Sequence, residues 1–321
     1  MNIAIIMAGG SGTRFWPLST KDTPKQLLKL FSDKTLLEET IDRLNRTGIY
    51  DKVYIVTGKG LEKRIRQTLK DFDNILIEPV SKDTSFCIAY SVKKIVDIYG
   101  IETHISIFPS DHLIRNDELF KESIEKALTF KDNIVIMGIK PQYPETAYGY
   151  IKYRDNDVIE FREKPNRETA EKYLEEGNYL WNSGMLFASS KVILGEIEKY
   201  LPKHYALSLD AERISFDIGV LEKTNLCKVV PVSFDWNDVG SFSSLDKVFE
   251  KNEQDSIIIS KDKYLGLQSS KNIVINKEDG KNIVVVGLDD LIVVNTKDNL
   301  LICPKSKDQE IKKIAGIIDE K

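Results

Sequence analysis

Along the first 140 positions the apolar residues gather into short unbroken runs: Ile3–Met7, Val53–Thr57, Ile75–Ile77, Ile105–Phe108 and Ile134–Ile139. A strand with one wet face alternates polar and apolar residues, so runs without alternation read as strands covered on both faces. Between the runs the spacing turns helical. Thr35-Leu36-Leu37-Glu38 has the form of a capping box, with Leu37, Ile41 and Leu44 on one face behind it. Ile88, Val92, Ile95, Val96 and Tyr99 make a second stripe. Leu119, Phe120, Ile124, Ala127 and Leu128 make a third, after an Asn116-Asp117 cap. Strands alternating with helices in this way predict an α/β domain with a parallel sheet and right-handed crossovers.

Past residue 141 the rhythm changes. Tyr148–Tyr153 and Val158–Glu163 flank a hairpin turn at Asp155-Asn156-Asp157. A helix (Glu168–Glu176), a strand (Leu180–Ala188), a helix (Val192–Leu201), a strand (Val229–Trp236) and a helix (Phe242–Phe249) are expected to extend the same core with a mixed sheet. Ile283–Val286, Leu291–Val294 and Leu300–Cys303 are short β runs without intervening helices, closed by an apolar stripe of Ile311, Ile314 and Ile318. They predict a small β appendage, coiled in form, with a terminal helix. The polar segment Lys251–Asp255 marks the boundary, dividing residues 1–254 from 255–321.

Composition narrows the function classes. The 321 residues are 41% apolar, enough for a large core, and no run reaches the roughly 18 apolar residues of a membrane span. Forty-six Lys and Arg against 50 Asp and Glu leave a net charge of −4, which excludes a broadly basic nucleic-acid binder but not a local cationic pocket. The N-terminal apolar run has no cationic flank and is too short for a secretory signal. Cys87, Cys227 and Cys303 lie far apart with no C-x-x-C, so neither a disulfide framework nor a zinc site is expected, and a cytoplasmic location fits. His104, His112 and His204 lack ligand spacing.

Ala8-Gly9-Gly10-Ser11-Gly12-Thr13-Arg14 carries the strongest signal, because it directly follows the first strand, and α/β sheets bind ligands at the carboxyl ends of their strands. Three glycines in four residues let backbone N–H groups wrap an anion. The segment is not a Walker loop, since Gly12-Thr13-Arg14 stands where Gly-Lys-Ser/Thr is needed, and a dinucleotide fingerprint read from Gly10 would put its third glycine at Phe15. A glycine-rich turn without a ligand is the alternative; Arg14 and then Pro24-Lys25-Gln26 weigh against it, although either cation alone reads equally as surface charge.

This segment, continued by Phe15-Trp16-Pro17-Leu18-Ser19 and Pro24-Lys25-Gln26, resembles the signature of the sugar-nucleotide pyrophosphorylases, in the form carried by guanylyltransferases acting on mannose 1-phosphate. The likeness runs on through Phe108–His112, Phe161–Pro165, Leu180–Met185 and Phe234–Gly240. It implies a Rossmann-like nucleotide-diphospho-sugar transferase fold and the reaction of GTP with mannose 1-phosphate to GDP-mannose and pyrophosphate. By the same resemblance, Ala8, Gly9, Gly10, Ser11, Gly12 and Thr13 cradle the nucleotide, Arg14 and Lys25 hold its phosphates, and Lys164 meets the sugar phosphate. Asp111 and Asp238 hold Mg²⁺, which takes one or two carboxylates alongside substrate phosphates. Glu78, with Thr84 nearby in sequence, serves the base: a carboxylate accepts from guanine N1–H and N2–H together. Tyr148, Gly149, Glu163, Asn182, Gly184 and Asp217 serve the sugar.

By pattern alone Asp111 also reads as a helix cap or turn, Asp238 as a turn, and Glu78 as an acid ending a strand. The chain departs from the family at Asp83-Thr84-Ser85-Phe86-Cys87, where Asn-Thr-Ala-Pro-Ala is usual, and at Ala147, where a glycine is usual. The same reaction with another nucleotide or hexose 1-phosphate, and a non-catalytic subunit of the same fold, are the competing readings. A homodimer through the C-terminal region is expected.

Overall fold

The computed structural model describes residues 1–10 and 12–319. Ser11 lies outside the described residues. The chain divides into two compact units, neither of them one continuous stretch: Met1–Gly9, Leu37–Ser110 and Ile114–Trp236 form the first, and Gly10–Leu36, Asp111–Leu113 and Asn237–Lys321 the second.

In the first unit and at its margins the strands are β1 (Asn2–Met7), β2 (Lys52–Gly58), β3 (Ile75–Glu78), β4 (His104–Pro109), a short β5 (Leu113–Arg115), β6 (Ile134–Ile139), β7 (Tyr150–Arg154), β8 (Asp157–Arg162), β9 (Tyr179–Ser189), β10 (Cys227–Val232) and a short β11 (Asp235–Asn237). Nine of them form one sheet in the order β3-β2-β1-β4-β9-β6-β10-β8-β7. Pairing is parallel across β3-β2-β1-β4 and between β6 and β10. β9 lies antiparallel between β4 and β6, and β8 antiparallel between β10 and β7, so the sheet is mixed with most strands pointing one way. The continuous apolar runs are explained by burial on both faces: Ile3, Ile5, Ile105, Ile107, Ile134 and Ile136 join one core with Ile88, Val92 and Ile95 of a covering helix, and the alternate residues Ala4, Ile6, Phe108, Val135 and Met137 are buried as well.

The helices are α1 (Leu36–Thr47), α2 (Lys59–Thr68), α3 (Asp83–Tyr99), α4 (Asp117–Ala127), α5 (Arg167–Glu176), α6 (Ser190–Tyr200), the short α7 (Pro202–Tyr205) and α8 (Ile311–Asp319). The Asn116 cap forms as expected, its side chain accepting from the Leu119 N–H at 3.1 Å. The run Val229–Trp236, expected as one strand, breaks after Val232 because Phe234 turns inward to meet the Phe120 ring at 5.4 Å.

In the second unit β12 (Ile257–Ser260), β14 (Ile273–Asn276) and β16 (Leu291–Asn295) stack in parallel, with β17 (Leu300–Pro304) antiparallel at the edge; β13 (Tyr264–Leu267) and β15 (Ile283–Val286) stack alongside. This is a coil of short strands, expected in part: β12, β13 and β14 were not among the anticipated runs. Asparagine side chains tie the rungs together, as where Asn295 Nδ2 donates to Asn276 Oδ1 at 2.8 Å. The helix expected over Phe242–Phe249 is a 3₁₀ turn, Phe242–Lys247. Its serines account for the change, since Ser244 Oγ bonds back to the Ser241 carbonyl at 2.6 Å and Ser243 Oγ to the Lys305 carbonyl at 3.2 Å. The terminal helix forms, but the stripe expected to be buried is corrected: Ile311 and Ala315 are buried, whereas Ile314 and Ile318 are exposed. Ile311 and Ala315 sit four apart on one face and pack into a cluster with Phe15, Trp16, Leu28, Phe242, Ile257 and Ile275. Phe15 and Trp16, which follow the glycine loop, therefore share their core with the C-terminal coil.

Candidate active site

The first group of candidate residues belongs to the second unit. After Gly12 the chain makes a 3₁₀ turn, Thr13–Phe15, anchored by the fully buried Phe15 ring against Phe242. Gly12 has φ +62°, and a Cβ placed there would lie 2.2 Å from Lys25 Cβ and 2.7 Å from Lys25 N. Only glycine permits both the left-handed backbone and this approach. Ser19 Oγ fastens the turn by donating to the Gly12 carbonyl at 2.6 Å.

Lys25 is 93% buried (7% exposed) and fully engaged. Its Nζ lies 2.8 Å from Asp111 Oδ2 and donates to the Asp238 carbonyl at 2.6 Å. Burial works to raise the Asp111 pKa, but Lys25 and then His112 outweigh it and hold the carboxyl below its ordinary range, so it is ionised at neutral pH. Asp238 sits in a turn closed by side-chain caps: the Val239 N–H donates to Asn237 Oδ1 at 2.7 Å and the Gly240 N–H to Asp238 Oδ1 at 3.2 Å. Val239 carries φ +49° while wholly buried, a costly conformation for a β-branched residue. Arg14, Lys25, Asp111, His112, Asp238 and Lys312 line one cavity of about 330 Å³ with Gly12, Thr13, Phe15 and Gly240. Residues from three distant stretches of sequence thus meet over the glycine turn. Lys312 is the member that sequence reasoning missed. It is one lysine of a pair in a helix whose pattern speaks only of packing.

The remaining candidates belong to the first unit. β1 runs into Ala8, whose N–H donates to the Val56 carbonyl at 2.9 Å and whose carbonyl accepts from Thr57 Oγ1 at 2.9 Å. Glu78 ends β3 beside Gly9, its Oε1 3.9 Å from where a Gly9 Cβ would stand. The Glu78 side chain is buried, its Oε2 has no hydrogen-bond partner among the described residues, and burial pushes its pKa up to about 7. A buried carboxylate oxygen without a donor is costly unless a ligand supplies one. The Thr84 hydroxyl accepts from the Phe216 N–H at 2.8 Å. Phe86 is wholly buried and packs edge-on to His204, so this departure from the family pattern lies in the core.

The sugar-side candidates form a connected group. Lys164, at φ +45°, is ion-paired with Glu163. The Glu163 carboxylate lies against Gly149, where a Cβ would come within 2.7 Å of Oε2. The Gly149 carbonyl accepts from the Asn182 N–H at 2.8 Å; Asn182 Nδ2 donates to Asp217 Oδ1 at 2.7 Å, and its Oδ1 accepts from the Gly184 N–H at 3.1 Å. Burial, reinforced by Glu163, pushes the Asp217 carboxyl up to about 6. Tyr148 stands edge-on to both Trp181 and Trp236 at 5.2 Å. Among the described residues no group of three or more His, Cys, Asp or Glu is gathered to hold a metal, and no helix is long and apolar enough to cross a membrane.

Over its full length the chain is 33% identical to the mannose-1-phosphate guanylyltransferase of Klebsiella pneumoniae and 32% identical to that of Escherichia coli, spanning 74% of each. The chain belongs to the mannose-1-phosphate guanylyltransferase family. The family's nucleotidyl transferase model matches residues 3–255, and a MannoseP isomerase/GMP-like β-helix domain model matches residues 262–316. The chain is therefore a nucleotidyltransferase followed by a β-helix. Membership extends to three dimensions: a Thermus thermophilus structure described as a mannose-1-phosphate geranyltransferase superposes with a TM-score of 0.90 at 27% identity, covering 99% of both chains.

Proposed function

We propose that this chain transfers GMP from GTP to mannose 1-phosphate. An oxygen of the sugar phosphate forms a bond to the α-phosphorus, the bond from that phosphorus to the β-phosphate oxygen breaks, and pyrophosphate leaves with the electron pair. The attacking oxygen is already anionic near pH 7, so no general base is required. The obstacle is repulsion between two polyanions, which fixed cations reduce. The observation that carries this reading is the cavity in which Arg14, Lys25, Asp111 and Asp238 converge over the Gly12 turn.

In this reading Gly9, Gly10, Gly12 and Thr13, with Ser11, hold the nucleotide phosphates, Arg14 meets the β- and γ-phosphates, and Lys25 acts at the α-phosphate. Two carboxylates and no soft donor suit Mg²⁺, and Asp111 and Asp238 would hold it. When bound, Mg²⁺ supplies charge neutralisation at the α-phosphate. Lys164 orients the sugar phosphate, while Glu163, Asn182, Asp217, Tyr148, Gly149 and Gly184 shape the hexose site. Thr84, six residues after Glu78, belongs to the nucleotide site in this reading, while its hydroxyl accepts from the Phe216 N–H. Residues 1–254 act as the nucleotidyltransferase domain and 255–321 as a small β domain with a terminal helix, in the cytoplasm.

Glu78 reads guanine in this scheme, and its environment gives a pH signature. With a pKa of about 7 the carboxyl is protonated on the acid side, where it has lost an acceptor for guanine N1–H and N2–H. GTP binding should therefore strengthen as pH rises through about 7 and level off above it, by up to tenfold per unit on the acid side. Steady-state assays pairing GTP, ATP, UTP and dTTP with mannose, glucose and N-acetylglucosamine 1-phosphates test the whole reading. GDP-mannose should be the dominant product, and Glu78→Gln should abolish the pH dependence and most of the preference for GTP. A wild-type preference for UTP or dTTP overturns the guanine assignment.

The C-terminal coil exposes Leu267, Val284, Val286, Leu300 and Ile302, the last four along one groove of about 360 Å³. An apolar face of this kind favours association, and we propose a homodimer through it. Light scattering at micromolar concentration should give twice the chain mass, and Val286→Lys should give one. A wild-type monomer rules the dimer out.

A further inference from the structure

The phosphate cavity contains a cation that belongs to neither signature segment. Lys312 lies on α8, one turn from Ala315 and next to Ile311, both buried in the cluster that holds Phe15. α8 packs against the 3₁₀ turn Thr13–Phe15, the turn that presents Arg14. The helix thus has a structural reason to be where it is, and Lys312 is the residue it delivers to the cavity.

The charges around the cavity leave this lysine a specific task. Lys25 is committed to Asp111 and to the Asp238 carbonyl. Among the described residues neither Arg14 nor Lys312 forms an ion pair, whereas the adjacent Lys313 is paired with Glu310. A nucleoside triphosphate brings about four negative charges at neutral pH; with Lys25 at the α-phosphate, Arg14 is left to meet the β- and γ-phosphates, and a second cation there improves the match. We infer that Lys312 is a third phosphate-binding cation, contacting the β- and γ-phosphates of the nucleotide and the pyrophosphate that leaves. The inference rests on the nucleotidyl-transfer reading for the identity of the anion. Because the β- and γ-phosphates gain charge as the bond to the α-phosphorus breaks, the contact strengthens along the reaction and acts on kcat as well as on KM.

Kinetics of Lys312→Ala, Lys312→Arg and Lys313→Ala, with pyrophosphate binding by calorimetry, test this. Lys312→Ala should lower kcat/KM for GTP about thirtyfold and weaken pyrophosphate about tenfold, while KM for mannose 1-phosphate changes less than twofold. Lys312→Arg should recover most of the loss, and Lys313→Ala should behave as wild type. Melting temperatures identify any variant that loses its fold, and Lys312→Arg then decides through its pyrophosphate affinity. Wild-type pyrophosphate affinity and kcat/KM in Lys312→Ala overturn the inference, as does wild-type protein that binds no pyrophosphate. Failure of the functional reading looks different: no GDP-mannose forms from GTP and mannose 1-phosphate, yet the pyrophosphate difference between wild type and Lys312→Ala persists.

Discussion

Lys25→Ala should reduce kcat/KM by about a thousandfold while leaving a folded protein. Removing one preorganised donor from a developing charge costs on the order of 10²–10³ in rate. Lys25 does more than donate. Its Nζ bridges the Asp111 carboxylate and the Asp238 backbone, so its loss strands a carboxylate in a shielded site without its cation. Asp111 then either repels the incoming phosphates or takes up a proton, and in both cases the cavity loses its charge pattern. The cluster around Phe15 and Phe242 does not involve the lysine head group, so a cooperative thermal transition should remain, lowered by several degrees. Lys25→Arg should not restore the rate, because a bidentate fork does not fit where a compact ammonium serves two acceptors. Steady-state kinetics beside a melting curve decide the matter; a folded Lys25→Ala enzyme within tenfold of wild type removes Lys25 from the chemistry.

Gly12→Ala should cost at least a hundredfold in kcat. The added methyl meets Lys25 Cβ at 2.2 Å and Lys25 N at 2.7 Å, distances that force the Lys25 backbone to move. A shift of about 1 Å in a catalytic group is enough for a loss near 10². The left-handed backbone at Gly12 adds roughly 1–2 kcal/mol of strain for any L-residue. Gly280 provides the control, since it also has positive φ but nothing within 4 Å of an added Cβ. Gly280→Ala should show the strain alone, as a small fall in melting temperature with unchanged turnover. Equal turnover in Gly12→Ala and wild type shows that contact with the lysine segment is dispensable.

The main strands were legible because burial on both faces writes itself into sequence as unbroken apolar runs, as at Ile3–Met7 and Ile134–Ile139. α2 was not, because of its residues Lys59–Thr68 only Ile65 is buried, and one apolar position sets no period. The terminal helix was legible as a helix but not in its orientation: the isoleucines suggested a face through Ile314 and Ile318, while packing selected the narrower pair Ile311 and Ala315. Side-chain competition, which a hydrophobic pattern cannot register, made the 3₁₀ turn at Phe242–Lys247. The candidate site divides in the same way. Its motifs stand out singly because glycines, cations and acids in fixed order are rare by chance. What joins them is tertiary. Nothing local to Pro24-Lys25-Gln26 says that its lysine will be held by Asp111 and by the distant carbonyl of Asp238. Lys312 had no signal of its own, because a lysine on a lysine-rich amphipathic helix is what a solvated surface also looks like.

Gly10–Leu36 shares one hydrophobic cluster with β12, β14, β16 and α8, so the most catalytic-looking stretch of the chain rests on its least catalytic-looking one. For anyone recombining members of this family, the two stretches are a single inheritable part. A hybrid that exchanges the last 65 or so residues while keeping the parental first 36 places foreign neighbours under Phe15 and Leu28, and workable crossover points are those that carry both stretches from the same parent.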